Sequence, residues 1–335
     1  MMIIKDFQFY LTDFFSNFLP NHKNVSKNTI ALYRDCFVLF LQFCSNEKNI
    51  NIDKITFNDI SRDLILEFLS WLENTRKNSI QTRNQRLAAL KSFCKFVQFE
   101  APEFFKLCSN IRNIEPKKCK KNSLNYLSLD AIKILLRQPN TNIKKEFRDL
   151  AILSLLYDSG ARVQELIDLS VCNLSLASNS KIFLNGKGNK TRTVPLNKEI
   201  SKILKKYISS FELTKNDILF TNKSGDKLTQ KGISYILNKY IDRAKINFPE
   251  YFNCRISPHS LRHSKAMHLL ESGVNLIYIR DFLGHESVST TEIYARANPE
   301  VRRKQIEKVS KNVISKSKYS EKDKNILMNF LKELV

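Results

Sequence analysis

The distribution of glycine constrains the fold of this chain more than any other feature of its sequence. The chain has 335 residues and seven glycines, and all seven lie between Gly160 and Gly284. Glycine adopts positive φ angles easily, so tight turns and strand connections commonly require it. The first 159 residues lack it, and this favours helices joined by polar turns over a sheet.

The apolar pattern of this first part supports the same prediction. Between residues 28 and 46, apolar side chains recur at intervals of three and four, which is the repeat of an amphipathic helix. Ser79 and Asp59 stand where N-cap residues are expected. The sequence therefore predicts a helical bundle with helices near 4–18, 28–46, 58–74 and 79–99.

The second part of the chain changes character around residues 171–196. Two short segments rich in β-branched and apolar residues, 181–184 and 191–195, flank a turn that contains Gly186 and Gly188. This pattern is typical of a β-hairpin, and helices are predicted to resume after it. We expect a mainly α chain with a small antiparallel β-sheet. Its two domains are an N-terminal helical bundle and a C-terminal mixed α/β domain, joined by a polar, basic linker at residues 110–126.

Charge and cysteine content narrow the class of protein. The net charge is +22 and the sequence pI about 9.7, so we expect a polyanionic partner, with nucleic acid favoured over a membrane surface. No apolar run of about 18 residues, secretory signal or lipidation motif occurs. The seven cysteines are scattered without a Cys-x-x-Cys pair, which indicates free thiols and a cytoplasmic protein.

Cationic residues and a tyrosine follow one another near the C-terminus. His259, Arg262, His285 and Tyr294 occur in that order within 36 residues. A tyrosine hydroxyl among cationic side chains suits attack on a phosphodiester, because fixed positive charge stabilises the charge that builds on the phosphate oxygens. Neither metal-ligand spacing nor a phosphate-binding glycine loop is present, so we expect no metal and no other cofactor.

Five motifs in order resemble those of the tyrosine recombinases, also called phage-integrase-type recombinases, and most closely the bacterial Xer type. They are GARVQEL (160–166), GKGNKTRTVPL (186–196), HSLRH (259–263), LGH (283–285) and Tyr294. Each motif is weak alone, whereas the ordered set is specific. The resemblance implies a helical core-binding (SAM-like) domain at 1–109, a catalytic domain at 127–311, and a tail at 312–335 that docks on a neighbouring protomer.

The resemblance also implies a role for each site residue. Arg162 and Arg262 would hold the scissile phosphate, with His259 as a proton relay or hydrogen-bond donor and His285 as a donor to a non-bridging oxygen. Lys187 would protonate the leaving 5′-oxygen. Tyr294 would be the nucleophile that forms a 3′-phosphotyrosyl intermediate. Glu165, three residues after Arg162, would support the site.

Other histidines and basic residues receive different interpretations. His263 is adjacent to Arg262 and hence off its helical face, so we expect it, like His268, to be structural. Several basic residues are candidate contacts to double-stranded DNA. They are Arg83 and Arg86 in the helical bundle, Lys190 and Arg192 in the hairpin, and Lys231 and Lys239 on a predicted helix near 229–245.

The biological role stays open between two uses of one chemistry. The first is Xer-type resolution of chromosome dimers. In this process a homotetramer bound to two inverted-repeat sites would exchange DNA strands through a four-way junction. A DNA translocase is a possible regulator. The alternative is an integrase or transposon recombinase of a mobile element. Two other hypotheses are a DNA-binding protein that has lost its chemistry and a type IB topoisomerase.

Overall fold

The chain forms two compact units, Met1–Asn122 and Ser123–Val335. The structure is a computed structural model that describes residues 6–119, 124–186, 190–297, 303 and 321–334. The division between the units falls inside the segment 110–126 that the sequence predicts as a linker. The last helix of the first unit extends to Arg112, so the first residues of that segment are helical.

The described part of the first unit is helical, as its lack of glycine predicts. Three of the helices begin at Ser26, Ser61 and Ser79, whose hydroxyls each accept a hydrogen bond from the backbone N–H three residues later. These caps satisfy amide groups that a helix start leaves free. The helices are α1 (Phe7–Asp13), which continues as a π-helix (Phe14–His22), α2 (Lys27–Lys48), α3 (Arg62–Asn74), α4 (Ile80–Glu100) and α5 (Phe105–Arg112).

Phenylalanine rings fill the core of the first unit. The ring of Phe93 on α4 meets Phe7, Phe14 and Phe37 edge to face, with centroids 5.7, 5.3 and 5.2 Å apart. All four rings are buried. Edge-to-face contacts are favourable beyond the burial of apolar area, so this cluster fixes α1, α2 and α4 against one another.

The second unit combines helices with one small sheet in its described ranges. Its helices are α6 (Leu129–Leu136), α7 (Lys144–Ser159), α8 (Val163–Ile167), α9 (Lys198–Ser210), α10 (Gln230–Asn247), α11 (Pro258–Glu271), α12 (Leu276–Leu283), α13 (Val288–Ala297) and α14 (Glu321–Lys332). Helix α7 supplies most of its length to the core and contacts α9 and α11. It is therefore the central element of the unit.

The sheet is antiparallel with strand order β1 (Leu174–Ser175), β2 (Lys181–Asn185) and β3 (Thr191–Pro195). Strands β2 and β3 form the predicted hairpin, and their register pairs Leu184 with Arg192. The prediction of a mainly α chain with a small antiparallel sheet is therefore confirmed. No helix in the part of the chain described here is long and apolar enough to cross a membrane.

Two glycines end the helices that border the site described next. Gly160 caps α7 and Gly284 caps α12, both in the left-handed conformation, with φ of 56° and 67°. A side chain is strained there, and glycine lets the backbone reverse at no steric cost. These turns direct α8 and the segment around His285 toward the same place.

Candidate active site

The C-terminus of α12 holds three arginines from three different elements. Its last carbonyls point outward without partners inside the helix. The carbonyl of Phe282 accepts from Arg192 Nε at 3.0 Å, that of Leu283 from Arg262 Nη2 at 2.6 Å, and that of Gly284 from Arg162 Nη2 at 3.0 Å. Unpaired carbonyls and the helix dipole both favour cations at this end. One helix end thus organises the positive charge of the site.

Glu165 is the counter-charge of this cluster. Its carboxylate accepts from the backbone N–H and Nη1 of Arg162, both at 2.8 Å, and from Nη1 and Nη2 of Arg192 at 2.9 and 2.7 Å. Burial alone would raise the pKa of Glu165, but the bonds and charge of Arg192 and the bonds from Arg162 outweigh it and lower the pKa to about 2. Glu165 is therefore ionised throughout the neutral range.

The cluster keeps an excess of positive charge. Arg162, Arg192 and Arg262 carry three positive charges against the single negative charge of Glu165. Burial, followed by the charges of Arg162 and Arg192, lowers the pKa of Arg262 to about 10, so it stays protonated at pH 7. The side chain of Arg162 is 34% exposed, whereas Arg262 is buried. Arg162 is thus the guanidinium that solvent reaches most directly.

An open cavity lies beside these arginines. Its volume is about 550 Å³, and its wall includes Arg162, Lys190, Arg192, Arg280 and His285. Asp281 and Glu286 also line it. The cavity is large enough for a phosphate group, and a fixed cationic wall stabilises an anion that enters it. Within the described ranges, no group of three or more histidine, cysteine, aspartate or glutamate side chains is placed to hold a metal ion.

Tyr294 lies among histidines in the same cluster. Its hydroxyl is hydrogen-bonded to Nδ1 of His263 at 3.0 Å, and its ring is nearly parallel to that of His285, with centroids 6.3 Å apart. Burial raises the pKa of Tyr294, opposed by the charges of Arg262 and Arg162. The tyrosine is 1% exposed. Tyr294 is therefore a neutral, sheltered phenol in this structure.

The histidines are neutral near pH 7. Burial, followed by the charges of His259 and Arg262, lowers the pKa of His263 to about 4. Burial and the neighbouring arginines lower the pKa of His285 to about 4 as well. The pKa of His259 is lowered by burial and by Arg262 and Arg162. A neutral imidazole can donate with one nitrogen and accept with the other, so each ring can bridge two groups.

Most of the predicted site residues lie together. Arg162, Glu165, Arg262 and His285 share the cluster described above, and His259 lies close enough for the arginines to perturb its pKa. Lys187, the predicted general acid, lies outside the described residues. Within the residues that the structure describes, side chains from the helix, hairpin and C-terminal motifs thus lie in one cluster.

The sequence interpretation missed His263. It assigned His263 a structural place because the residue follows Arg262 directly, yet the imidazole contacts the hydroxyl of Tyr294. The signal lay in its spacing from His259. Residues four apart share a helical face, and the two rings are indeed neighbours, with centroids 6.4 Å apart.

One of the two predicted DNA contacts in the first unit needs correction. Arg83 is 4% exposed and pairs with Glu73, Nε to Oε1 at 3.3 Å. Arg86 donates Nη1 to the carbonyl of Leu32 at 2.8 Å. The buried Arg83 presents no surface for a duplex, so its prediction as a DNA contact was wrong. Arg86 is half-buried and stays a prediction.

The candidates in the second unit fall into two groups. Lys239 donates to Glu146 at 3.0 Å, and Arg192 is tied to Glu165, so both already have carboxylate partners inside the unit. Lys190 and Lys231 are exposed. These two lysines stay predictions as DNA contacts.

Comparison with known proteins places this geometry in a family. Residues 125–301 match the phage integrase family, and residues 12–100 match the phage integrase N-terminal SAM-like domain. A Sinorhizobium fredii protein named "Putative integrase/recombinase y4rC" is 31% identical over 324 residues, 97% of each chain. The tyrosine recombinase XerD of Oceanobacillus iheyensis is 35% identical over 297 residues, which are 86% of this chain and 93% of XerD.

A solved structure shows the same fold. The crystal structure of the XerH site-specific recombinase, bound to palindromic difH substrate as a post-cleavage complex, has a TM-score of 0.66 at 23% identity. The match covers 86% of this chain and 81% of that one. The chain belongs to the phage integrase family of tyrosine recombinases, enzymes of site-specific DNA recombination that cleave and rejoin DNA through a tyrosine intermediate.

Proposed function

We propose that Tyr294 is the nucleophile of this recombinase and that the arginine cluster beside it holds the scissile phosphate. The observation that carries the proposal is the position of the Tyr294 hydroxyl. It lies close enough to Arg162 and Arg262 for both charges to act on its pKa, and it contacts His263. Fixed cations next to a nucleophile are what phosphoryl transfer requires.

In the proposed reaction Tyr294 attacks the phosphorus, its hydroxyl proton passes to one of the neutral histidines of the cluster, and the bond to the 5′-oxygen breaks. The products are a 3′-phosphotyrosyl ester and a free 5′-hydroxyl. Arg162 and Arg262 bind the non-bridging oxygens, with His259 and His285 as hydrogen-bond partners. Lys187 protonates the leaving oxygen. Attack by the 5′-hydroxyl of another strand reverses these bond changes and rejoins the DNA.

The buried tyrosine requires a movement before it attacks. Tyr294 is almost fully sheltered and hydrogen-bonded to His263, whereas the cavity beside Arg162 is open. A phosphate that enters from solvent meets Arg162 before it can meet the phenol oxygen. We infer that the structure is a resting state in which α13 has not yet presented the nucleophile.

A nicked suicide substrate tests the assignment. Cleavage close to a nick releases a short fragment, so rejoining fails and the covalent complex accumulates. Wild-type protein should give a band shifted by the mass of the DNA under denaturing conditions, and Tyr294→Phe should give none. The same substitution at a tyrosine outside the cluster, Tyr251→Phe, serves as the matched control and should retain wild-type yield.

Two results would contradict the assignment. A covalent complex that persists with Tyr294→Phe would place the nucleophile elsewhere. Loss of the wild-type complex on addition of EDTA would contradict a mechanism in which arginine and lysine, rather than a metal ion, stabilise the charge.

For the cellular role we propose Xer-type resolution of chromosome dimers in the cytoplasm. The identity to XerD over most of both chains supports this proposal. The relative y4rC, which is named as an integrase/recombinase and matches over 97% of each chain, favours the alternative, an integrase of a mobile element. Sequencing the DNA trapped covalently in cells separates them: an inverted repeat near the chromosome terminus supports the Xer role, and one at the ends of an element supports the alternative.

The tail offers a surface for assembly. One face of α14 and the turn after it presents exposed apolar side chains, namely Ile326, Leu327, Phe330, Leu331 and Leu334. Apolar residues at this spacing form a stripe suited to a groove on a partner. We propose that residues 312–335 dock on a neighbouring protomer in a tetramer that holds two sites and a four-way junction. Removing residues 319–335 should reduce tetramers on DNA to smaller assemblies, measured by light scattering.

A further inference from the structure

Arg192 is fully engaged inside the protein. The sequence suggests a phosphate contact for it, yet each of its three guanidinium nitrogens has a protein partner. Nη1 and Nη2 donate to the two carboxylate oxygens of Glu165 at 2.9 and 2.7 Å, and Nε donates to the carbonyl of Phe282 at 3.0 Å. Its side chain is 11% exposed, a third of the value for Arg162. The environment of Arg192 is that of a structural connector.

The bonds of Arg192 join three elements. Arg192 lies on β3, Glu165 on α8, and Phe282 on α12. Glu165 in turn accepts two bonds from Arg162, and Arg162 donates to the carbonyl of Gly284, two residues after Phe282. The contacts therefore close a ring that starts and ends at the C-terminus of α12. A forked pair of bonds to one carboxylate fixes orientation as well as distance.

The backbone around Arg192 leaves room for this side chain and little else. A Cβ atom on Gly284 would lie 2.9 Å from Cδ and 3.0 Å from Nη1 of Arg192. Glycine at position 284 thus lets the end of α12 approach the guanidinium closely. This approach is independent of the hydrogen bonds and indicates a slot shaped for arginine.

We propose that Arg192 is a positioning residue for DNA cleavage: it holds Glu165, and through Glu165 it orients Arg162 on the scissile phosphate. The proposal rests on the proposed role of Arg162 as a phosphate ligand. Lysine cannot replace Arg192, because one ammonium group on a flexible stem cannot bond both carboxylate oxygens and the Phe282 carbonyl in this geometry. Arg192 acts on the phosphate through Arg162 and does not bind it.

The test compares cleavage of two nicked suicide substrates by Arg192→Lys and wild-type protein. One substrate has an ordinary scissile phosphodiester, and the other has a methylphosphonate there, which lacks the negative charge that Arg162 would hold. On the phosphodiester, the cleavage rate of Arg192→Lys should fall on the order of 10- to 100-fold, somewhat less than the loss typical for removing a direct donor. On the methylphosphonate the loss should shrink to about threefold or less. Arg162→Lys should show the same pattern with a larger loss.

Arg148 provides a matched control in the same unit. It is a mostly buried arginine that bonds a carboxylate, Asp149 at 2.8 Å, and a carbonyl, that of Thr221 at 2.9 Å. None of its partners belongs to the cluster. Arg148→Lys should cleave both substrates at the wild-type rate once each protein is used below its unfolding temperature, so it separates loss of an internal ion pair from misplacement of Arg162.

Several outcomes would overturn the inference. If Arg192→Lys cleaves the phosphodiester at the wild-type rate, Arg192 has no positioning role. If its cleavage rate falls by the same factor on both substrates, the effect of Arg192 does not depend on the phosphate charge. A drop in the DNA affinity of Arg192→Gln with a salt slope reduced by about one would show that Arg192 contacts the phosphate directly. A wild-type protein that forms no covalent complex, or a Tyr294→Phe variant that forms one, would instead refute the proposed function itself.

Discussion

Replacing Glu165 with glutamine measures how much the charge of Glu165 contributes to the free energy of unfolding. Glutamine keeps the shape of the side chain and removes its charge. The substitution leaves Arg162 and Arg192 side by side without a counter-ion, and it replaces one acceptor oxygen with an amide nitrogen that cannot accept their bonds. Because Glu165 is buried and takes four hydrogen bonds, we expect it to contribute to folding stability as well as to geometry.

The magnitude follows from the pKa of Glu165. The pKa is about 2 in the folded protein and 4.5 for the unperturbed group, so the ionised carboxylate stabilises the fold by up to about 3 kcal/mol at pH 7. Water in the adjacent cavity screens these charges, which makes about 1.5–3 kcal/mol the expected range. A depressed pKa gives stability that is complete above pH 4.5 and is lost as the pH falls toward 2. At pH 3 about 1.4 kcal/mol of the upper value should remain.

Urea unfolding at pH 7 and at pH 3 measures this contribution. Far-UV circular dichroism follows the whole chain, while Trp71, the single tryptophan, reports on the first unit. Glu165→Gln should lower the stability of the second unit at pH 7 and leave the Trp71 transition in place. Glu199→Gln, at an exposed pair with Lys202, is the control and should cost less than about 1 kcal/mol.

Two results would refute the reasoning about Glu165. The first is a loss below about 1 kcal/mol at pH 7, which would mean that the arginines find other partners at little cost. The second is a difference between variant and wild type that stays constant from pH 7 to pH 3, which would mean that the carboxylate charge is not its source.

Other features of the structure give further expectations. His263→Phe leaves the Tyr294 hydroxyl buried without its partner, so thermal unfolding should show a loss of about 1–3 kcal/mol; the loss should shrink when Tyr294→Phe is added, and additive effects would contradict the bond. Gly284→Ala places a Cβ against Arg192 at a positive φ and should cost at least about 1–2 kcal/mol in urea unfolding; an unchanged midpoint would mean that the cap relaxes freely. Arg83→Gln removes one of the two cations that pair with Glu73 and leaves Lys117, 2.9 Å away, as the other. It should destabilise the first unit by about 1–3 kcal/mol without changing the salt slope of DNA binding. Lys231→Gln should leave the stability unchanged and reduce the salt slope by about one. A salt slope that falls with Arg83→Gln and not with Lys231→Gln would contradict the assignment of Arg83 to the interior and Lys231 to the DNA-binding surface.

The fold was predictable where local sequence preference and tertiary structure agree. The glycine-free start, the serine caps and the three-and-four apolar spacing all favour helices, and the structure has helices there. The hairpin was predictable because apolar and β-branched residues flank a glycine turn. The π-helix at Phe14–His22 was not, because it differs from an α-helix only in the partner chosen by each backbone N–H.

The site was predictable as a set of residue types but not as a network. Motif order predicted Arg162, Arg262 and Tyr294 as site residues, because a phosphate clamp and a nucleophile limit the residue types that can serve, and the structure places these three residues in one cluster. The bonds of Arg192 depend on where β3 and α12 meet, which no local pattern encodes. Arg83 shows the opposite error: a basic residue on a helix gives the same sequence signal whether it faces DNA or is buried against a glutamate of its own domain.

The sheltered position of Tyr294 has a kinetic consequence. If cleavage needs a conformation in which the phenol is released, the observed rate is the chemical rate multiplied by the fraction of molecules in that conformation. Each 1.4 kcal/mol that favours the His263-bound position lowers this fraction tenfold. Protein bound to unrelated DNA would then rarely have Tyr294 in the released conformation. Any contact that favours release, from the correct site or from a neighbouring protomer, would accelerate cleavage without contacting the phosphate. In the proposed mechanism, the hydrogen bond at 3.0 Å between His263 and Tyr294 thus helps set how selectively the enzyme breaks DNA.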